Sequence, residues 1–337
     1  MVAHLPERLV LAAAPTPIQP LPRISERLGL ELLVKRDDLT GFAESGNKVR
    51  KLEFLVREAL DQGADTLITV GALQSNCARA TAAIAARLGL RCVLGLRGQR
   101  PATLDGNLLL AQLFGAETFF VPAAEVDQPE SLLTRLVEHV RKTGGRPYVI
   151  PESGSNELGA LGYVRLIDEL QAQVEGGAPE PETVVVAAWS GGSLAGLHLG
   201  KALYGWPAEI LGVPIAFEAE AIRDYVWNTA RKAASRFGLD AHVERGAVPL
   251  LDGYQGVGRS AVEEQELTTV ADVARETGIL LDPVYTAKAF HALCREAPRH
   301  RALHGRRVLF IHTGGGFGVF PYREALGSLV DRKPSTP

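Results

Sequence analysis

Short β-branched runs alternate with longer stretches whose apolar residues recur at helical spacing, and Gly or Pro stands at most of the turns between them. The alternation predicts strands over 66–70, 91–96, 118–121, 148–150, 183–188, 210–215 and 307–312. It predicts helices over 77–88, 107–114, 130–143, 157–174, 194–203, 219–237 and 261–276. Strands that follow one another through a helix must pair in parallel, so the expected fold is α/β: open, twisted, mostly parallel sheets flanked by helices. The 337 residues are enough for about two such bodies, and the pattern suggests two sheets meeting near 150–162. No internal repeat or low-complexity segment interrupts it, and a polar tail over 331–337 ends it.

Open sheets of this kind bind ligands outside the carboxyl ends of their strands, so the loops that follow the strands are where chemistry is expected. Four of them are unusual. Trp189-Ser190-Gly191-Gly192-Ser193-Leu194-Ala195-Gly196-Leu197 follows an apolar strand and opens a helix. Its paired glycines and helix N-terminus suit a phosphate, although a tight turn capped by serine has the same letters. Gly71 to Arg79 places Ser75, Asn76 and Cys77 at a second helix start, suited to a carboxylate or to simple capping. Asp282-Pro283-Val284-Tyr285-Thr286 projects a tyrosine from a loop stiffened by proline. It is an acid/base candidate if cations lower its pKa, and otherwise a packed tyrosine. His312-Thr313-Gly314-Gly315-Gly316 permits close approach of a flat ligand, with the Thr313 hydroxyl at hand.

A fifth segment, Ser45-Gly46-Asn47-Lys48-Val49-Arg50-Lys51-Leu52-Glu53, sets a lysine at the start of an amphipathic helix. Alone it reads first as a solvated basic helix start; the alternative is a Schiff-base lysine whose pKa falls through desolvation and the neighbouring Arg50 and Lys51. A Schiff-base lysine, a phosphate cradle, a carboxylate cradle and a hydroxyl for a ring nitrogen together indicate a pyridoxal phosphate enzyme.

Charge argues against other classes. A net charge of −3 with 22% charged residues gives no basic excess for nucleic acid and no polybasic block for a membrane surface. The first eleven residues carry charges and a proline and do not read as a signal peptide, and no window reaches transmembrane length. Cys77, Cys92 and Cys294 lack metal-ligand spacing and read as reduced thiols of a cytoplasmic protein; the eight histidines do not cluster, so no metal is expected.

Taken together, these segments resemble the ACC deaminase/D-cysteine desulfhydrase family of pyridoxal phosphate enzymes, with the tryptophan-synthase-β-like fold (fold type II). The resemblance runs from Pro15-Thr16-Pro17 and Val34 to Gly41 through His312-Thr313-Gly314-Gly315, and its most specific part is the lysine run together with Gln74-Ser75-Asn76. It implies that Lys48 carries the cofactor, with Asn47 beside it, and that the stretch from Ser190 to Leu197 surrounds the phosphate. Asn76 would meet the phenolic oxygen and Thr313 the pyridine nitrogen. Ser75, with Asn76 and Cys77, would hold the substrate carboxylate, and Lys48, Tyr285 and Ser75 would be catalytic. The cofactor would sit in a cleft between a large domain, 1–51 and 160–337, and a small one, 52–159. A homodimer is also implied.

Within the family, ACC deaminases look like Tyr-Glu where this chain has Tyr285-Thr286, whereas D-cysteine desulfhydrase-like members look like Tyr-Thr. The implied reaction is α,β-elimination from a three-carbon, D-cysteine-like amino acid to pyruvate, ammonia and the leaving group. The alternatives are an L-cysteate sulfo-lyase, an ACC deaminase, or a diverged activity such as a racemase. Cys77 stands where relatives carry histidine, Trp189 and Ser193 where they carry glycine and threonine, and Arg259 near where many carry tyrosine. An arginine there would bind an acidic substrate side chain bidentately or point to solvent. Tyr285, Thr286, Trp189 and Arg259 are expected to join Ser75, Asn76 and Cys77 around the substrate, and its identity is expected to depend on Cys77, Trp189 and Arg259.

Overall fold

A computed structural model describes residues 5–121, 129–256 and 261–331. In chain order the elements are β1 (Ile18–Pro20), α1 (Pro22–Leu28), β2 (Glu31–Lys35), α2 (Asn47–Asp61), β3 (Thr66–Ala72), α3 (Asn76–Leu88), β4 (Arg91–Arg97), α4 (Gly106–Leu113), β5 (Glu117–Val121), α5 (Pro129–Lys142) and β6 (Pro147–Val149). There follow α6 (Glu157–Glu175), β7 (Thr183–Ala188), α7 (Gly192–Tyr204), β8 (Glu209–Pro214), α8 (Ala219–Phe237), α9 (Glu264–Thr277), α10 (Thr286–Glu296), β9 (Arg307–Ile311) and α11 (Arg323–Asp331). They form two sheets. One has the order β1-β2-β9-β7-β8, parallel except for β1 against β2; the other is all parallel in the order β5-β4-β3-β6. The α/β architecture with two mainly parallel, helix-flanked sheets is as expected from the alternation.

The four strands of the second sheet all lie within 66–149. The boundaries expected at 51/52 and 159/160 both fall inside helices, α2 and α6. β1, β2, α1 and α11 were not anticipated: β1 has three residues and contains a proline, and β2 ends on a charged lysine that is fully buried. Of the expected tail, Asp331 closes α11 and 332–337 lie outside the described residues. Among the described residues no helix is long and apolar enough to cross a membrane.

Glycine brings three helices into contact at the junction of the two sheets. A Cβ on Gly162 of α6 would lie 2.4 Å from the Arg50 carbonyl oxygen of α2, and one on Gly196 of α7 only 2.1 Å from the Ala160 carbonyl oxygen of α6. The missing side chains let α2, α6 and α7 approach to backbone distance, which sets the N-terminus of α2 beside that of α7.

An ionic cluster locks the same junction from behind. Arg50 is 4% exposed and donates to both carboxylate oxygens of Asp37 at 2.8 and 2.9 Å and to Glu169 at 2.8 and 3.1 Å. Lys35 donates to Glu169 at 2.6 Å, while Thr16 and Tyr163 donate to Asp37 at 2.8 and 3.0 Å. Charges taken out of water need such complete pairing. Burial pushes the Glu169 carboxyl up, but hydrogen bonding and the charge of Arg50, with help from Lys35, outweigh it and hold the pKa at about 2.

Two outcomes follow. The native state holds Glu169 ionised below the pH at which the unfolded chain takes up the proton. Stability from this group is therefore full above the ordinary carboxylate range and lost as pH falls towards about 2. Urea unfolding between those limits is expected to have a shallower pH dependence in Glu169→Gln than in the parent. Gly196→Ala, forced against the Ala160 carbonyl, is expected to lose about 3 kcal/mol, the upper end for overpacking, read as a lowered urea midpoint.

Candidate active site

The carboxyl ends of β3, β7 and β9 open onto one cavity. Its walls include Asn47, Lys48, Lys51, Asn76, Trp189, Ser190, Gly191, Gly192, Ser193, Leu194, Tyr285 and Thr313. Loops far apart in the chain are thus brought to one place.

The 3.6-residue period sorts the lysine run. Lys48 and Lys51 share the face of α2 that meets the cavity, whereas Arg50 lies on the other face, held by Asp37 and Glu169. Arg50 is therefore not among the cations beside Lys48, contrary to the sequence expectation; Lys51 is. Lys48 Nζ donates to the Ser153 carbonyl at 3.3 Å, and Lys51 Nζ to Ser155 Oγ at 3.1 Å. Ser153 sits at φ 61°, a left-handed conformation uncommon for a residue other than glycine, as it offers that carbonyl. Among the described residues neither lysine is hydrogen-bonded or ion-paired to a carboxylate. Burial lowers the pKa of Lys48 against the opposing pull of Cys77 and Glu152. Burial, then the charge of Lys48, takes Lys51 well below the ordinary lysine range.

Opposite them is the start of α7. Gly191 adopts φ 87° as its N-cap, and a Cβ on Gly192 would lie 2.5 Å from Ser155 Oγ and 3.1 Å from Lys51 Nζ. The N–H groups of Gly192, Ser193 and Leu194 precede the first helical hydrogen bond, which Ala195 donates to Gly191 at 2.8 Å. Ser190 Oγ bonds Ser155 Oγ at 2.8 Å, and Asn47 Nδ2 donates to Ser193 Oγ at 3.3 Å. Free N–H groups, hydroxyls and an unpaired ammonium at a helix N-terminus form an anion cradle. The expected phosphate stretch divides here. Residues 190–194 line the cavity, whereas Ala195, Gly196 and Leu197 are buried in helix packing.

Ser75 caps α3, accepting from Ala78 N at 3.1 Å, and Asn76 lines the cavity beside it. Cys77 is 1% exposed, and burial raises its thiol pKa against the opposing effect of Lys48 and Lys51. Neither Ser75 nor Cys77 is a wall of the cavity, although Ser75 adjoins Asn76. The Thr313 carbonyl accepts from Asn47 N at 2.9 Å, and Thr313 lines the cavity.

Tyr285 is set by Asp282, whose carboxylate accepts from the Val284, Tyr285 and Thr286 N–H groups at 2.8–3.0 Å. Trp189 packs against it in a tilted arrangement, at a centroid distance of 5.4 Å and an angle of 56°. Desolvation dominates its acidity and pushes the phenol pKa up. The sequence expectation of a tyrosine acidified by cations is corrected accordingly: burial outweighs the attraction of Arg97, and Tyr285 carries its proton. Thr286 is fully buried, its hydroxyl donating to Asp282 Oδ1 at 2.7 Å, and it does not reach the cavity. Arg259 lies outside the described residues. Among the described residues no group of three or more His, Cys, Asp and Glu side chains could hold a metal ion.

Lys51 in the cradle, Ser153 and Ser155 were not read from the sequence as site residues. The three-residue spacing of Lys48 and Lys51 was a usable signal for the first. The two serines have none, since only the folded turn before α6 brings them to the lysines.

Residues 9–314 match the family described as pyridoxal-phosphate dependent enzyme. The chain is 41% identical over 323 residues to a putative 1-aminocyclopropane-1-carboxylate deaminase of Pyrococcus abyssi (strain GE5 / Orsay), covering 96% of each. It is 42% identical over 324 residues to a D-cysteine desulfhydrase of Klebsiella pneumoniae (strain 342), covering 95% of this chain and 97% of that one. A crystal structure of an ACC deaminase homologue superposes with a TM-score of 0.87 at 38% identity over 96% of each chain. An O-ureido-L-serine synthase shares the fold alone, with a TM-score of 0.69 at 16% identity over 98% of each. With the cationic cradle, the lysine pair and this near full-length similarity in view, the chain belongs to the pyridoxal-phosphate dependent enzyme family, with the fold type II architecture.

Proposed function

We propose that the protein is a lyase that performs α,β-elimination on a D-cysteine-like amino acid, releasing pyruvate, ammonia and sulfide. The observation that carries this reading is a cavity where two lysines of lowered pKa, without a carboxylate partner among the described residues, face a helix N-terminus, with a protonated tyrosine lining the same cavity. The donor set fits pyridoxal phosphate: the N–H groups of residues 192–194, the Ser190 and Ser193 hydroxyls and Lys51 suit its phosphate. Lys48 suits its aldehyde, Asn76 its phenolic oxygen and Thr313 its ring nitrogen. When bound, that cofactor supplies an electron sink for negative charge at the substrate Cα.

The protein's own groups do the rest. Burial leaves the Lys48 amine more often neutral, able to act as a nucleophile and to take the α-proton at Nζ. Tyr285 holds its proton at Oη and serves as the donor to the departing β-substituent. Thr313 offers a neutral hydroxyl, which does not hold a proton on a ring nitrogen as a carboxylate would, and this favours elimination over transamination. Ser75, with the start of α3, orients the substrate carboxylate. The two sheet-bearing parts, 1–51 with 160–337 and 52–159, act as domains whose cleft closes over substrate and excludes water. A cytoplasmic homodimer completes the reading.

D-cysteine desulfhydrase and 1-aminocyclopropane-1-carboxylate deaminase are both names of relatives near 41–42% identity. Thr286 supports the first, because the residue after Tyr285 carries no carboxylate. Keto-acid release from D-cysteine, L-cysteine, β-chloro-D-alanine, L-cysteate and 1-aminocyclopropane-1-carboxylate decides between them. Pyruvate from D-cysteine is expected, and 2-oxobutyrate from the cyclopropane substrate alone would overturn the assignment. Tyr285→Phe is expected to lower kcat by about 10²–10⁴-fold with a smaller change in KM.

The purified protein is expected to be yellow with pyridoxal phosphate. Lys48→Ala should lose the visible band and turnover while keeping the far-UV circular dichroism of the parent. Lys51→Met removes a charge-assisted contact and should weaken cofactor affinity by about 10–100-fold in equilibrium titration.

A further inference from the structure

Asn107 is 1% exposed on α4 and is no wall of the cavity, yet its amide is saturated by partners that each work in one direction. Its Oδ1 accepts from Arg79 Nε at 3.0 Å. Its Nδ2 donates to the Gln74 carbonyl at 3.0 Å and to Asn76 Oδ1 at 2.9 Å. A guanidinium has only donors and a backbone carbonyl only accepts, so the Asn107 amide has one permitted orientation. With the Asn107 nitrogen facing it, Asn76 must turn its own oxygen inwards. Its Nδ2, which makes no hydrogen bond among the described residues, is then left on the cavity side.

Arg79 is itself an expensive group to place here. It is fully buried, and burial lowers its pKa to about 10. Its hydrogen bonds go to Asn107 and to the carbonyls of Ala43 and Ser45, with the Phe317 ring 5.3 Å away, and to no carboxylate. Buried arginines are ordinarily paired with an acid. An arginine held by carbonyls and an amide supplies direction instead: a carboxylate at position 107 would satisfy it better electrostatically but would have no N–H to pass on.

From this we infer that Arg79 and Asn107 are positioning residues that form a one-way hydrogen-bond relay, Arg79 to Asn107 to Asn76, which forces Asn76 to present an N–H donor to the phenolic oxygen of the cofactor. The inference rests on the pyridoxal phosphate reading above and deepens it. An N–H facing that oxygen favours its negatively charged form, and a C=O facing it does the opposite. The relay therefore sets the pH at which the visible band of the lysine-bound cofactor titrates, a property that packing alone does not control.

Asn107→Asp tests the polarity without changing the shape. The carboxylate keeps the Arg79 contact, but its second oxygen now faces Asn76, which must turn its nitrogen inwards and its oxygen to the cavity. In the cofactor-loaded protein the titration midpoint of the visible band is expected to rise by about one pH unit, as in Asn76→Ala. Asn107→Ser cuts the relay without adding a charge and guards against misfolding of the first variant; its midpoint should rise by less. Midpoints at the parent value in both position 107 variants, with Asn76→Ala shifted, would overturn the relay and leave the cofactor reading intact. An Asn76→Ala variant with an unmoved midpoint would likewise overturn the relay and leave the cofactor reading intact, whereas a parent protein that takes up no pyridoxal phosphate would remove both.

Discussion

Lys48, half-buried, and Lys51, buried, lie one helical turn apart on α2 and face the N-terminus of α7, with no carboxylate hydrogen-bonded to either among the described residues. Protonating both amines beside the positive end of a helix is opposed by lost hydration and by repulsion, which is why their pKa values fall. The arrangement persists because the surroundings hold it rigidly. Gly162 and Gly196 let α2, α6 and α7 meet at backbone distance, and Arg50 is anchored on the far side of α2 by Asp37 and Glu169. An anion between the lysines and α7 would neutralise what the fold has concentrated. A phosphate held there, as proposed for the cofactor, would supply that counter-charge.

Acidity is divided across the cavity by the same burial. Desolvation disfavours whichever form is charged, so one dry cavity yields a lysine that gives up its proton readily and a tyrosine that keeps its own. A base and an acid of these types are what proton removal at Cα and departure of a β-substituent require. Asp282 contributes by tying down the N–H groups of residues 284–286, so that Tyr285 enters the cavity from a stiff turn rather than a loose loop.

Much of this was legible beforehand because local rules act locally. Parallel strands followed by helices leave a period in the chain, and α8 was placed at its observed ends, Ala219–Phe237. The glycine pair after β7 and the Ser75-Asn76 helix start were legible because helix N-termini need special residues. β2 was not legible: it ends on a charged Lys35, whose burial is made tolerable by Glu169, 134 positions away, together with Thr16 and Gln173. Ala195, Gly196 and Leu197 looked like phosphate ligands by proximity in sequence, but all three are buried in packing around α7, with Gly196 against α6. Thr286 adjoins the site tyrosine and yet faces Asp282, because consecutive residues at a helix start point in different directions.

By itself, the sequence determined the class of fold, the loops that would carry chemistry and the lysine on which the site is built, since these depend on residue type, period and spacing. Tertiary structure alone decided which neighbours act on that lysine, turning Arg50 away and Lys51 in. It also decided that Tyr285 is an acid held by burial, and that a buried amide on α4 sets which end of Asn76 meets the cavity. Those decisions depend on desolvation and on hydrogen-bond direction between residues distant in the chain, and neither quantity exists until the chain has folded.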